Sequence, residues 1–99
     1  MSRAGDQSEA RRVFVRGKVQ GVFFRAWTQR QARAAGLRGW VRNLSDGETV
    51  EALLIGQAES VAAVEAMLAK GPPQARVREV EGIDATDDGS VEFEQVATV

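Results

Sequence analysis

The chain has 99 residues, 43% of them apolar and 27% charged, with a net charge of -1 at pH 7, which fits one soluble domain around one core. It contains no cysteine and no histidine, so disulfides, thiolate zinc sites, thiol nucleophiles and imidazole bases are excluded, and with them Ser-His-Asp hydrolysis and His-carried phosphate. No apolar run approaches the roughly 20 residues of a membrane span, and the near-neutral charge argues against broad binding to nucleic acid or anionic membrane.

The opening segment has no apolar stretch of the secretory type. It reads as a disordered tail over residues 1–10, ahead of a single domain over 11–99 in a cytoplasmic protein. Over residues 11–16, Val13 and Val15 alternate with Arg12, Phe14 and Arg16, the period of a strand. Residues 17–21 break it. From Phe24 a helix is predicted, with Phe24, Thr28, Ala32 and Ala35 on one face and Gly36 at its left-handed end. Residues 38–43 and 49–55 read as two strands joined by a turn at Asp46-Gly47. A second helix over 60–70 carries Val61, Val64 and Leu68 on one stripe and stops at Gly71-Pro72-Pro73. Residues 76–83, irregular enough to hold a bulge, and 90–96 are the last strands. The predicted fold is α+β: a ferredoxin-like β-α-β-β-α-β sandwich, mostly antiparallel, with two helices on one face and a short extra terminal strand. That fold hosts many functions and decides none.

Charge is distributed unevenly. Arg16, Lys18, Arg25, Arg30, Arg33, Arg38 and Arg42 make the first half cationic, so an anionic ligand is to be sought there. Residues 15–25 read V-R-G-K-V-Q-G-V-F-F-R: a strand, a turn with Gly17 and Gly21, and the first turn of a helix. Glycines let the backbone curl until successive N–H groups converge on one point, an anion nest. The helix start adds unpaired N–H groups and partial positive charge, and the planar fork of Arg25 suits two phosphoryl oxygens. A plain turn followed by a solvated arginine has the same pattern. The residues alone leave both readings open.

The same string resembles the first signature of the acylphosphatase family, a hydrophobic-x-G-x-V-Q-G-V-x-F-R pattern. Gly39-Trp40-Val41-Arg42-Asn43, with Gly47, Val50, Glu51 and Gly56 after it, resembles the second. The resemblance implies a hydrolase of carboxyl-phosphate anhydrides that needs no metal or cofactor. It implies that Arg25 holds the phosphoryl oxygens together with N–H groups of the turn formed by Gly17, Lys18, Val19, Gln20, Gly21 and Val22, and that Asn43 orients the attacking water. The partners so implied are a small-molecule acyl phosphate and inorganic phosphate as product or inhibitor, with no nucleic acid and no membrane, on a monomer. The chemistry agrees. An acyl phosphate carries a good leaving group, so the tasks left are to position a water in line and to stabilise charge on the equatorial oxygens. Without the motif, Asn43 reads as a strand-ending residue that satisfies the turn.

Other conspicuous residues have plainer readings. Trp27 and Trp40 are expected to pack. Of Phe23 and Phe24, one is expected in the core and the other bracing the loop. Arg30, Arg33 and Arg38 are read as solvated charges, Asp46 as turn chemistry, and Asp84, Asp87 and Asp88 as a solvated loop rather than metal ligands. Two departures from the family pattern stand out. Glu48 and Thr49 lie between Gly47 and Val50, where the family has one residue, which risks a register shift in the following strand. The chain end also lacks a basic-aromatic finish, which puts an end-of-chain contact to the loop in doubt. The rival readings are an RNA-binding module, which needs paired exposed aromatics from among Phe14, Trp40 and Phe93, and a sensor that binds acyl phosphate without turnover.

Overall fold

The computed structural model describes residues 7–99; residues 1–6 of the expected tail lie outside it. The first strand, β1, is Ser8–Lys18, so Ser8, Glu9 and Ala10 belong to the domain and not to a tail. They pair with Gln57, Gly56 and Ile55, and Ala10 is buried against Leu53 and Ile55. After β1 come helix α1 (Phe24–Ala34), β2 (Arg38–Asn43), β3 (Thr49–Gln57), α2 (Ala58–Leu68), β4 (Arg76–Asp84) and β5 (Phe93–Gln95). The expected ferredoxin-like order is present.

The sheet runs β4-β1-β3-β2-β5. β1 pairs antiparallel with β3 and β4, and β2 with β3, while β5 lies parallel to β2. The alternation in β1 sends Val13 and Val15, both fully buried, to the helix face. There they meet Phe24 of α1 and Val61, Val64 and Leu68 of α2 in a core that also holds Val41, Leu54 and Phe93. Each such side chain contributes about 1.5–3 kcal/mol through removal from water. The end of α1 is closed by Gly36 N–H to Arg33 O and Leu37 N–H to Ala32 O, at 3.0 and 2.9 Å, the paired bonds of a Schellman ending.

β3 is buried without a break from Thr49 through Ile55, because its outer face is covered too. Glu51, 1% exposed, is held there by Arg12 and Arg42. Arg42 lies over the Trp40 ring at 4.5 Å, and Arg12 and Arg16 flank Phe14. The chain between β4 and β5 joins opposite edges of the sheet, and parts of it are tied to the outer face. Ala85 packs on the Leu53–Ile55 cluster, Asp88 accepts the Trp40 indole N–H at 3.1 Å, and Arg38 donates to Asp87 at 2.6 Å and to Ser90 O at 2.6 Å. Arg33 donates to Phe93 O at 3.0 Å. Arg33 and Arg38, expected as solvated charges, therefore hold this crossing segment and β5 in place. Asp84 likewise pairs with Arg11. The final strand is shorter than the expected 90–96 because Ser90 is occupied in a turn with Asp88.

Candidate active site

The site begins where β1 stops. The ladder to β4 slips between Arg16 and Gly17, where Arg16 faces Glu79 but Gly17 faces Val77, leaving Arg78 as the extra residue of a bulge. Gly17 has φ 137, and a Cβ there would collide with the Arg76 carbonyl oxygen, so the bulge requires glycine. Its N–H donates to Glu48 O at 3.0 Å. Gly17 thus shapes the loop but has no N–H to offer a ligand, and Lys18 is the last residue of the strand, its exposed side chain beside Arg76.

From Val19 the chain turns into α1 through two left-handed residues, Gly21 (φ 74) and Phe23 (φ 63). Left-handed residues set between ordinary ones turn consecutive N–H groups toward one side, the geometry of a nest. Among the described residues, no N–H of residues 19–23 donates a hydrogen bond. Helix α1 has no side-chain cap and no acidic residue in its first turn, so the N–H groups of Phe24, Arg25 and Ala26 also lack acceptors. A run of backbone donors therefore meets a helix N-terminus, both favourable to an anion.

Arg25 and Asn43, eighteen positions apart in sequence, line the same cleft of about 240 Å³ with Val19, Gly21, Phe23, Phe24, Ala26 and Gln95. Arg11, Arg12, Arg16, Arg38, Arg42 and Arg78 are each paired with a carboxylate; Arg25 pairs with none among the described residues. Asn43 closes β2 opposite Val50. The task of satisfying the hairpin backbone, which the plainer reading gave to Asn43, falls to Asp46. Its carboxylate accepts the N–H groups of Glu48 and Thr49, both at 2.9 Å, and the Thr49 hydroxyl at 2.5 Å. Those bonds, the Thr49 hydroxyl first, hold the Asp46 carboxyl below the ordinary aspartate range.

Pairing is continuous from Arg38↔Ile55 to Asn43↔Val50 and from Ser8↔Gln57 to Arg16↔Thr49, so β3 runs without a bulge against both neighbours. Gln20 then locks the loop to the hairpin: its amide donates to Leu44 O at 2.8 Å and to Thr49 O at 3.0 Å. Neither Gln20 nor Val22, both expected there, lines the cleft. Phe24 enters the core and Phe23 stays out beside the loop, as expected of the pair, and both line the cleft with Ala26. Gln95, which the sequence did not point to, is brought in by the parallel pairing of β5 with β2 and bonded to Gln29 at 2.9 Å. The last residues pair with the hairpin strand: Val99 N–H donates to Asn43 O at 3.3 Å and Ser45 N–H to Val99 O at 2.7 Å.

A model of the acylphosphatase family matches residues 11–95. The chain belongs to the acylphosphatase family. An acylphosphatase of Rhizorhabdus wittichii is 47% identical over 90 residues, 91% of this chain and 90% of its own length, and one of Aeropyrum pernix is 54% identical over 69 residues, 70% of this chain and 68% of its own. The solved acylphosphatase of Coxiella burnetii superposes with a TM-score of 0.87 at 34% identity, covering 97% of this chain and 100% of that one. The protein is accordingly an enzyme, a hydrolase acting on acid anhydrides. Against the RNA-binding alternative, Phe93 is 1% exposed and Phe14 is covered by Arg12 and Arg16, so they do not form the exposed aromatic pair that reading needs. Among the described residues no helix is long and apolar enough to cross a membrane, and no three carboxylates are grouped to hold a metal ion.

Proposed function

We propose that this acylphosphatase hydrolyses small-molecule acyl phosphates without a metal ion, with Arg25 and the backbone of the loop holding the phosphoryl group and Asn43 aiming the water. One observation carries the reading: Arg25 and Asn43, on different elements, line one small cleft floored by the loop at Val19 and Gly21. The guanidinium and the loop N–H groups would take the equatorial oxygens, whose charge must be stabilised in transfer. The Asn43 amide can bind a water without taking its proton, and the substrate phosphate can accept that proton as the new P–O bond forms. No step requires a histidine, a thiol or a metal. Inorganic phosphate, sharing the phosphoryl contacts, is a product and a competitive inhibitor. The reading includes a monomer in the cytoplasm.

Purified protein should hydrolyse benzoyl phosphate in the presence of a chelator. Arg25→Ala should lose about 100-fold or more in kcat/KM and lose inhibition by phosphate with it. Strict dependence on a divalent metal, or an Arg25→Ala enzyme as active as the parent, refutes the proposal. Binding of acyl phosphate without turnover by the parent protein points to the sensor reading instead.

A further inference from the structure

We infer that the acyl part of the substrate lies in an apolar groove walled by Phe23, Trp27, Pro72 and Pro73, and that Phe23 makes the enzyme prefer acyl phosphates with aryl or other bulky apolar acyl groups. The inference rests on the reading of the site just given and extends it to substrate class.

The first argument is geometric. In phosphoryl transfer the attacking and leaving oxygens lie roughly in line on opposite sides of phosphorus. The water oxygen bonds to phosphorus from the Asn43 side as the bond to the acyl oxygen breaks, and the carboxylate departs with that electron pair on the side away from Asn43. A groove of about 380 Å³ adjoins the cleft and shares Phe23 and Ala26 with it, but not Asn43 or Gln95. A second groove adjoins the cleft at Gly21, but Lys18, Gln74 and Arg76 line it, so an apolar acyl group is directed past Phe23 toward the first.

The second argument is chemical. Val22, Trp27, Pro72 and Pro73 join Phe23 and Ala26 in lining the groove, with Arg30 and Gln74 as its polar members and no carboxylate. Benzene occupies an apolar cavity of about 150 Å³ in a protein core, so the space suffices for an aryl group. The Trp27 ring is steadied by an edge contact to Phe24, centroids 5.5 Å apart, which presents a fixed aromatic surface.

The third argument is the backbone. Phe23 stands 78% exposed at φ 63, the sole described non-glycine residue with positive φ. A bulky residue held in the left-handed region is strained, and such strain collects at ligand clamps. The acyl group, tethered to a phosphate bound next to it, is placed to cover this side chain.

The experiment compares kcat/KM for benzoyl and acetyl phosphate in the parent enzyme, Phe23→Ala and Phe23→Tyr. The benzoyl-to-acetyl ratio should fall about tenfold in Phe23→Ala, the scale of one lost apolar pocket contact, mainly through KM for benzoyl phosphate, and return in Phe23→Tyr. Inhibition by benzoate should weaken in Phe23→Ala in parallel, a readout independent of turnover. An unchanged ratio, with both substrates hydrolysed, overturns the groove assignment and leaves the hydrolase reading intact. A parent enzyme that hydrolyses neither substrate overturns both.

Discussion

Replacing Gln20 by leucine removes the amide that joins the loop before α1 to the strand end carrying Asn43, while keeping a side chain of similar bulk. Gln20 donates to Leu44 O at 2.8 Å and Thr49 O at 3.0 Å. Both carbonyls keep a second partner, Gly47 N–H at 3.4 Å for Leu44 and Leu44 N–H at 2.9 Å for Thr49. The substitution therefore costs two ordinary bonds and strands neither acceptor, about 2 kcal/mol in total at roughly 1 kcal/mol each. For a domain of this size that lowers Tm by about 8–16 °C. The effect on catalysis follows from position: the amide fixes the distance between the loop and Asn43, and a displacement of about 1 Å in such a pair lowers the rate by up to about 100-fold. Gln20→Leu should thus lower kcat by about 10- to 100-fold, with a smaller change in inhibition by phosphate, whose proposed contacts are Arg25 and the loop and do not include Asn43. Gln20→Glu should be worse at neutral pH, since a carboxylate would face two carbonyl oxygens, and should recover partly in acid. Thermal melting and steady-state kinetics test both. A Gln20→Leu enzyme that melts within about 2 °C of the parent and keeps its kcat refutes the bridging role.

The buried Glu51 cluster makes a second prediction through its asymmetry. Glu51 is almost fully enclosed, whereas the side chains of Arg12 and Arg42 are 43% and 23% exposed. Replacing both arginines by methionine strands a buried charge and should cost about 3–5 kcal/mol, while Glu51→Leu, which leaves two arginines able to reach water, should cost about 1 kcal/mol or less. Denaturant unfolding decides, and the reverse order contradicts the account. The third concerns acid. Because bonds from Thr49 and Glu48 lower the Asp46 carboxyl in the folded state, its support of the hairpin is fully present above the unfolded pKa and is lost as pH falls through the lower folded value. An Asp46→Asn variant should show a shallower loss of stability over that acidic window, and an unaltered acid profile counts against the hairpin clasp.

Local pattern made most of the fold legible. Val13 and Val15 announced a half-covered strand, Phe24, Thr28 and Ala32 the inner stripe of α1, and Val61, Val64 and Leu68 that of α2. The irregular stretch over 76–83 is the bulged strand β4. Long-range pairing was not legible. Three residues of β5 carry too little pattern to reveal a parallel neighbour, so Gln95 gave no sign of reaching the cleft, and Arg33 and Arg38 looked solvated because their partners lie 60 and 49 positions away. Phe23 or Phe24 was expected to brace the loop, but the left-handed backbone of Phe23 was not legible, because a positive φ at a phenylalanine contradicts local preference. Arg25 and Asn43 were legible because two ordered motifs carry them; that they line one cleft is a property of the fold alone.

The most direct test of the account is turnover by Asn43→Ala. With Arg25 and the loop intact, the account predicts kcat for benzoyl phosphate lower by about 100-fold or more, while inorganic phosphate still inhibits at nearly the concentration that inhibits the parent. Full activity in Asn43→Ala, or loss of phosphate inhibition together with turnover, contradicts the division of work between the loop that holds the phosphate and the asparagine that aims the water.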